Sequence, residues 1–326
     1  MQTPTETRPA PIPPPPAEIP TMYFIGVTTA KSSIMDVFPR WAAHLGLGEC
    51  ALVGVDFKLH DEPARYREMV RFIKDDPLSL GALVTTHKLD LLRACRDLFD
   101  ALDPLADLMG EVSSISKRDG RLVGHAKDPI TSGLALQAFL PAGYWGRTGA
   151  DACLLGAGGS ALALSHFLTL PDHGNDRPRR VIVTNRSQPR LDEMRAIHDG
   201  LGHGIPVEYY QVPDTADNDA VLDWLAPGSL VVNATGLGKD APGSPLTDAA
   251  RFPQDGYAWE FNYRGDLVFL DQARAQQSAR SLTVEDGWTY FIHGWTGVIA
   301  EVFAADVPTS GPGFDALSRI AAATRS

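Results

Sequence analysis

Ala152-Cys153-Leu154-Leu155-Gly156-Ala157-Gly158-Gly159-Ser160-Ala161-Leu162-Ala163-Leu164 passes from a short apolar run through a cluster of glycines into a second run of small and apolar residues. That order is how a buried strand enters a tight turn and leaves it as a helix. Gly156, Gly158 and Ala161 fill the pattern G-x-G-x-x-G/A. The first glycine turns the chain, and the second lets the backbone approach a pyrophosphate. The small third residue packs the helix on its strand, so that the helix N-terminus faces an anion. Taken alone, the stretch also fits an ordinary glycine-rich strand–helix turn. The neighbouring segments decide between the two.

Outward from this turn, strand and helix patterns alternate in both directions. Before it, apolar runs predict strands at 23–27, 51–55 and 81–85, and periodic apolar residues predict helices over 34–47, 66–73, 89–99 and 104–109. Segments 112–116 and 121–124 form a hairpin joined at Asp119-Gly120, and Asp128-Pro129 opens a further helix. After the turn, strands are expected at 180–184, 207–212, 230–233 and 257–261. Helices are expected over 188–198 and 221–225, with two closing the chain at 267–279 and 292–303. The alternation implies two α/β units, and 326 residues suit two domains. Residues 1–21 carry a Pro-Pro-Pro-Pro run without apolar periodicity and are expected to form a disordered tail.

With 44% hydrophobic and 21% charged residues, the chain has a globular composition. A formal net charge of −11 argues against nucleic acid or an anionic membrane as the main partner. No apolar run is long enough for a membrane span, and the N-terminus lacks an apolar signal core. Cys50, Cys95 and Cys153 make neither a disulfide framework nor a metal cluster, so a cytoplasmic location and no metal are expected.

In a dinucleotide fold the end of the second strand selects the cofactor. A carboxylate there binds the ribose 2′-hydroxyl, whereas arginine accommodates a 2′-phosphate. Here the strand ends in Thr184-Asn185-Arg186-Ser187, with Arg190 one helical turn on and no acidic residue at the tip. A guanidinium fork beside hydroxyl and amide groups suits NADP.

At these residues the chain resembles the shikimate/quinate dehydrogenase family, over roughly residues 22–303. Gly26 to Ser33 with the helix after it resembles the family's N-terminal strand and serine motif. Val84-Thr85-Thr86-His87-Lys88 resembles N-V-T-x-P-H-K. Gly110 to Ser114 and Gly124 to Gly133 resemble G-A-V-N-T and G-x-N-T-D-G-x-G. Gly156-Ala157-Gly158-Gly159-Ser160-Ala161 with Asn185-Arg186-Ser187 matches the NADP motifs, and Asn233-Ala234-Thr235-Gly236-Leu237-Gly238 resembles N-A-T-P-x-G-M.

The resemblance implies an N-terminal substrate-binding domain (22–130) and a Rossmann-type NADP-binding domain (131–284). C-terminal helices (285–326) would return to the substrate domain, with the active-site cleft between the two domains. The family's catalytic lysine and aspartate fall on Lys88 and Asp128. Gly156 to Ala161, Asn185, Arg186, Ser187, Arg190, Ala234, Thr235 and Gly236 would hold NADP. Ser32, Ser33, Thr85, Ser113, Tyr263 and Tyr290 would face the substrate, a small cyclic hydroxy acid. The protein would act as a monomer or homodimer. The chemistry is self-consistent: oxidising a secondary alcohol sends hydride to the nicotinamide and a proton to a base.

The substrate positions depart from the family pattern. Ile34 falls at the second serine of S-x-S, Leu83 replaces the asparagine before V-T, and the segment from Thr85 to Lys88 is one residue short. Ser113 stands for an asparagine, Ala126-Lys127 precedes Asp128 in place of Asn-Thr, and Gly294 occupies a glutamine position. The tyrosine motif is scrambled into Asn262-Tyr263-Arg264. Lys127 offers a second cation for an acidic substrate, and Trp288, Tyr290 and Trp295 could line an apolar pocket or pack in the core. Removing donors that recognise hydroxyls changes the preferred substrate. Three functions follow: an NADP-dependent dehydrogenase with an altered pocket, a non-catalytic metabolite- or NADP-binding regulatory protein of the same fold, or a related two-domain enzyme such as a methylene-tetrahydrofolate dehydrogenase. The Arg186 strand end and the 81–88 segment favour the first over the third.

Overall fold

The computed structural model describes residues 11–202, 204–239 and 241–325, and its two six-stranded sheets lie in separate units. A terminal unit contains the chain up to Lys127 together with Gly294 onward; a central unit is Asp128–His293.

In the terminal unit the strands are β1 (Thr21–Gly26), β2 (Ala51–Asp56), β3 (Ser79–Val84), β4 (Ala101–Leu102), β5 (Ser114–Arg118) and β6 (Arg121–His125). Its first helices are α1 (Ile34–Leu45), α2 (Pro63–Asp75), α3 (Lys88–Cys95) and α4 (Pro104–Met109). The sheet order is β2-β1-β3-β5-β6-β4. β1 runs parallel to β2 and β3, whereas β5 and β6 form an antiparallel hairpin. Asp119 and Gly120 both take positive φ, as a two-residue hairpin turn requires. β1 is buried along its whole length because both sheet faces are covered. On one face Tyr23, Ile25, Val55, Ala82 and Val84 pack with Tyr66, Met69, Val70 and Ile73 of α2 and Leu91 and Leu92 of α3. On the other, Phe24 meets Trp295 edge-on at 4.8 Å, and Trp41 Nε1 donates to the Leu317 carbonyl at 2.9 Å.

The central unit contains α5 (Asp128–Gln137), α6 (Tyr144–Thr148), β7 (Ala152–Leu155), α7 (Gly159–Thr169), β8 (Val181–Asn185), α8 (Gln188–Leu201) and β9 (Val207–Gln211). It continues with α9 (Thr215–Leu222), β10 (Leu230–Asn233), β11 (Tyr257–Glu260), α10 (Val268–Arg280) and β12 (Thr283–Glu285). All its strands are parallel, in the order β12-β11-β10-β7-β8-β9. Counted from β7 and read from the β9 edge, this is 3-2-1-4-5-6, the doubly wound dinucleotide-binding arrangement, with its reversal between β7 and β10. β7 and β10 are buried throughout, which is why they read as apolar runs, with Asn233 the one polar residue at the end of β10. Cys153 belongs to this core, and burial pushes its thiol up to about 12.

Two last helices follow, α11 (Trp288–Phe303), within which the division at His293/Gly294 falls, and α12 (Gly311–Ala322). α12 shows no apolar period at its start because it opens with Gly311-Pro312-Gly313, residues that punctuate loops yet are tolerated in a first turn. β4 and β12 are missed because two or three residues carry no period. The second half of the proline-rich tail is anchored. Ile12 packs on the terminal unit's core, and the Ala17 amide donates to Asp76 Oδ2 at 2.8 Å. The first ten residues of that expected tail lie outside the described residues. No described helix is long and apolar enough to cross a membrane.

Candidate functional site

The glycine turn sits where the strand order reverses. Gly156 takes φ +114, and a Cβ placed on it would lie 2.8 Å from the Ala234 carbonyl oxygen. Both the backbone conformation and the close approach of the chain leaving β10 therefore demand glycine. Gly158 is different. It is extended at the N-cap of α7, and a Cβ there would meet no protein atom within 4 Å. Nothing in the protein's own packing requires glycine at 158, which leaves a cradle that a side chain would fill.

Behind that cradle, α7 begins without a side-chain cap and without an acidic residue in its first turn. The amides of Gly159, Ser160 and Ala161 have no partner within the helix, and the dipole adds partial positive charge. Ala161 is fully buried, so the helix packs closely. The arrangement fits a pyrophosphate.

At the end of β8, Thr184 is buried, Asn185 and Ser187 are half-buried, and Arg186 is exposed. The Arg186 carbonyl accepts from Gln211 Nε2 at 3.2 Å, which fixes its backbone and leaves the guanidinium on the surface. Arg190 pairs with Glu193 at 2.7 Å. The Arg186 tip itself carries no carboxylate, and such a basic strand end fits a 2′-phosphate.

The turn after β10 is an Asx turn. Asn233 Oδ1 accepts from the Thr235 amide at 3.1 Å and from Thr235 Oγ1 at 2.7 Å; Thr235 Oγ1 then accepts from the Leu237 amide at 3.1 Å. Gly236 and Gly238 both have positive φ. Beneath the turn lies Glu260, which apolar periodicity does not single out. It is fully buried, and burial pushes its carboxyl up to about 7, against the hydrogen bonds from Asn262 and Asn233. A charged residue inside the apolar run 257–261 was the available signal.

In the terminal unit, Lys88 is the first residue of α3, after the buried His87. His87 Nδ1 lies 2.9 Å from the Tyr66 hydroxyl, and burial lowers its pKa, which favours a neutral ring. The Val112 amide donates to the Lys88 carbonyl at 3.3 Å, tying the start of α3 to the loop before β5. Thr85 donates to the Ile25 carbonyl through both its amide, at 3.0 Å, and its hydroxyl, at 3.3 Å. Ser113 is buried, and its hydroxyl accepts from the Lys127 amide at 2.8 Å. Ser32 is buried and Ser33 half-buried at the N-cap of α1, while Ile34 and Leu83 belong to the buried core.

Lys127 is not an uncommitted cation. Its ammonium is held by Glu301 of α11, which also accepts from Arg118 at 3.0 Å and lies 3.5 Å from His125 Nε2. The Lys127 ion pair holds Glu301 below the usual carboxylate range, against the cost of burial.

In the central unit Asp128 opens α5, and the Tyr290 hydroxyl lies 3.5 Å from Asp128 Oδ2. Tyr263 packs against Phe291 at 4.5 Å and Trp288 at 5.6 Å, and Tyr290 against Phe261 at 4.7 Å. These aromatics cement the start of α11 to the chain leaving β11. Trp295, by contrast, packs on Phe24 in the terminal unit. Gly287 makes the α11 junction possible, since a Cβ there would lie 2.1 Å from the Phe261 carbonyl oxygen. Among the described residues no group of His, Cys, Asp and Glu could hold a metal ion.

No family model matches the chain. It is 30% identical over 240 residues to the shikimate dehydrogenase (NADP(+)) of Chelativorans sp. strain BNC1, covering 71% of this chain and 77% of that one. It is 28% identical over 277 residues to the enzyme of the same name from Methylobacterium radiotolerans, covering 84% and 88%. The fold matches the crystal structure of shikimate 5-dehydrogenase from Thermus thermophilus, in complex with NADP(H) and shikimate. That match has a TM-score of 0.65 and 24% identity, over 93% of this chain and 99% of that one. Sequence and fold agree along most of the length, and the chain belongs to the shikimate/quinate dehydrogenase family.

Proposed function

We propose that this protein is an NADP-dependent oxidoreductase that interconverts a secondary alcohol and a ketone on a cyclic hydroxy acid related to shikimate. The observation that carries the proposal is the glycine turn at the strand-order reversal, with the exposed, carboxylate-free Arg186 tip on the next strand. The relatives' activity with NADP supports the same choice of cofactor. NADP, when bound, supplies the hydride acceptor for the oxidation and the donor for the reverse.

The chain's own groups do the rest. The first amides of α7 hold the pyrophosphate, with Ala157 and Ser160 beside it. Asn185, Arg186, Ser187 and Arg190 take the adenosine 2′-phosphate, and Ala234, Thr235 and Gly236 border the other half of the dinucleotide. Lys88 and Asp128 form the proton-transfer pair. In oxidation the substrate hydroxyl loses its proton to the lysine amine as hydride leaves the adjacent carbon. In reduction the ammonium returns that proton and stabilises negative charge developing on the oxygen.

On the substrate side, Ser32, Ser33, Thr85, Ser113, Tyr263 and Tyr290 provide the hydroxyls. Thr85 and Ser113 already bond the main chain, and Ile34 and Leu83 are apolar and buried. A site without such donors discriminates against ligands that need them. The preferred substrate therefore differs from shikimate in its hydroxyl pattern. The same loss favours a second reading, a regulatory protein that binds NADP or a metabolite without turning it over.

The test is an assay with NADP and NAD against shikimate, quinate, dehydroshikimate and aminoshikimate. NADP-dependent turnover that falls by about 10²–10⁴ in Lys88→Ala and Asp128→Ala supports the enzyme. Cofactor binding with no turnover of any member supports the regulatory reading. A preference for NAD would overturn the role of Arg186.

A further inference from the structure

Glu260 ends β11 in register with Asn233 at the end of β10, under the rim where the chain leaves both strands. Its Oε2 accepts from Asn233 Nδ2 at 2.6 Å, and its Oε1 accepts from the Asn262 amide and from Asn262 Nδ2, both at 2.8 Å. Three donors are thus aimed at one carboxyl group that has no exposure to water. Both asparagine side chains also donate to the Leu237 carbonyl, at 3.3 and 3.1 Å. Because the side-chain oxygen of Asn233 is occupied by Thr235, the Glu260 contact sets which way that side chain faces. The chain of contacts continues. The Ala234 amide donates to the Leu155 carbonyl at 2.9 Å, and its own carbonyl crowds Gly156 in the glycine turn.

The position of this brace matters. In the sheet order, β8 with Arg186 lies on one side of β7 and β10 lies on the other. A dinucleotide whose pyrophosphate sits at the β7 turn and whose adenosine lies over β8 must extend its second half over β10. The turn at 234–238 is therefore the surface that meets the nicotinamide half. Asn262, part of the segment where the family's tyrosine motif is scrambled, supplies two of the three donors.

We propose that Glu260 is a positioning residue for the cofactor, acting through Asn233 and Thr235 to hold the 234–238 turn in the shape that receives the nicotinamide half. The inference rests on the NADP function above. It makes Glu260 selective for one end of the dinucleotide, which a merely structural residue would not be.

The experiment compares two probes on the full chain. One is NADPH, followed by energy transfer from tryptophan to the reduced nicotinamide. The other is the adenosine fragment of NADP that carries the 2′-phosphate and no nicotinamide, followed by competition or calorimetry. Glu260→Ala should weaken NADPH about tenfold and the adenosine fragment by less than about twofold, with Glu260→Gln intermediate for NADPH. Thr235→Val, which removes the hydroxyl's bonds to Asn233 and Leu237 without touching the buried carboxyl, should weaken NADPH selectively in the same way. It serves as the test should the Glu260 variants fail to fold. Combined with Glu260→Gln it should add little, because the two act on one path.

Equal weakening of both probes, or unchanged NADPH affinity in a folded variant, overturns the proposal. A wild-type chain that binds neither probe overturns it too, by removing the cofactor function on which it rests.

Discussion

The two units differ in how far they keep the family's sequence pattern at the positions proposed for cofactor and for substrate. In the central unit the glycine turn, the basic strand end and the Asn233 turn all keep it, and each has a visible structural duty. In the terminal unit the polar positions have drifted, and the structure has absorbed the replacements. Ile34 and Leu83 fill the core, Ser113 caps a main-chain amide, and Lys127 pairs with Glu301. On the function proposed above, the difference follows from what each unit would recognise. A pyrophosphate is held chiefly by backbone amides and a helix end, which constrain φ and Cβ rather than side-chain chemistry. A hydroxylated ring is held by side chains, and these can change without disturbing the fold.

The contrast can be broken most sharply at the two glycines. Gly158→Val should leave the fold intact, because its Cβ meets no protein atom, yet lower cofactor affinity about a hundredfold by filling the cradle. Gly156→Val should instead destabilise the central unit by about 2–3 kcal/mol, through φ +114 and the clash with Ala234. Thermal melts and cofactor titrations on both variants separate the two effects. If Gly158→Val binds cofactor normally, the backbone account of the central unit fails.

A smaller effect probes the terminal unit. Glu301→Gln removes the charge that holds Lys127, Arg118 and His125, and should cost about 1–2 kcal/mol of stability. Urea unfolding measures it. No loss would mean that Lys127 is available to an acidic substrate after all.

A last effect is one of pH. Burial raises Glu260 from 4.5 to about 7, so between those values the folded protein keeps a proton that the unfolded chain has lost. Its contribution to stability is therefore greatest below about pH 4.5, falls as pH rises through this window, and levels off above about 7. His293 is pushed down to about 4 by burial and works in the opposite sense, losing stability as pH falls. Among the described residues, Lys239, Glu285 and Asp286 are further charged groups near this end of the sheet. Subtracting the melting curve of Glu260→Gln from that of the wild type cancels these contributions. The variant should gain on the wild type steadily from about pH 4.5 to 7, and a flat difference would show that Glu260 does not titrate there.

Strand–helix alternation, the Asp119-Gly120 hairpin and the glycine turn were all legible in the chain, because each depends on residues close together and on local preferences of glycine and apolar runs. The family motifs likewise marked Lys88 and Asp128 as the pair proposed for proton transfer. Other features depended on tertiary partners. Glu260 shows no role until Asn233, 27 residues away, is placed beside it by strand pairing. Lys127 looks like a free cation until Glu301, 174 residues on, reaches it. Gly287 looks like loop punctuation until the Phe261 carbonyl is found against it. Local conformation follows from each residue's own sterics and polarity. Whether a charge is paired, a hydroxyl engaged or a glycine crowded depends on what the fold brings next to it, and that information is distributed over the whole chain.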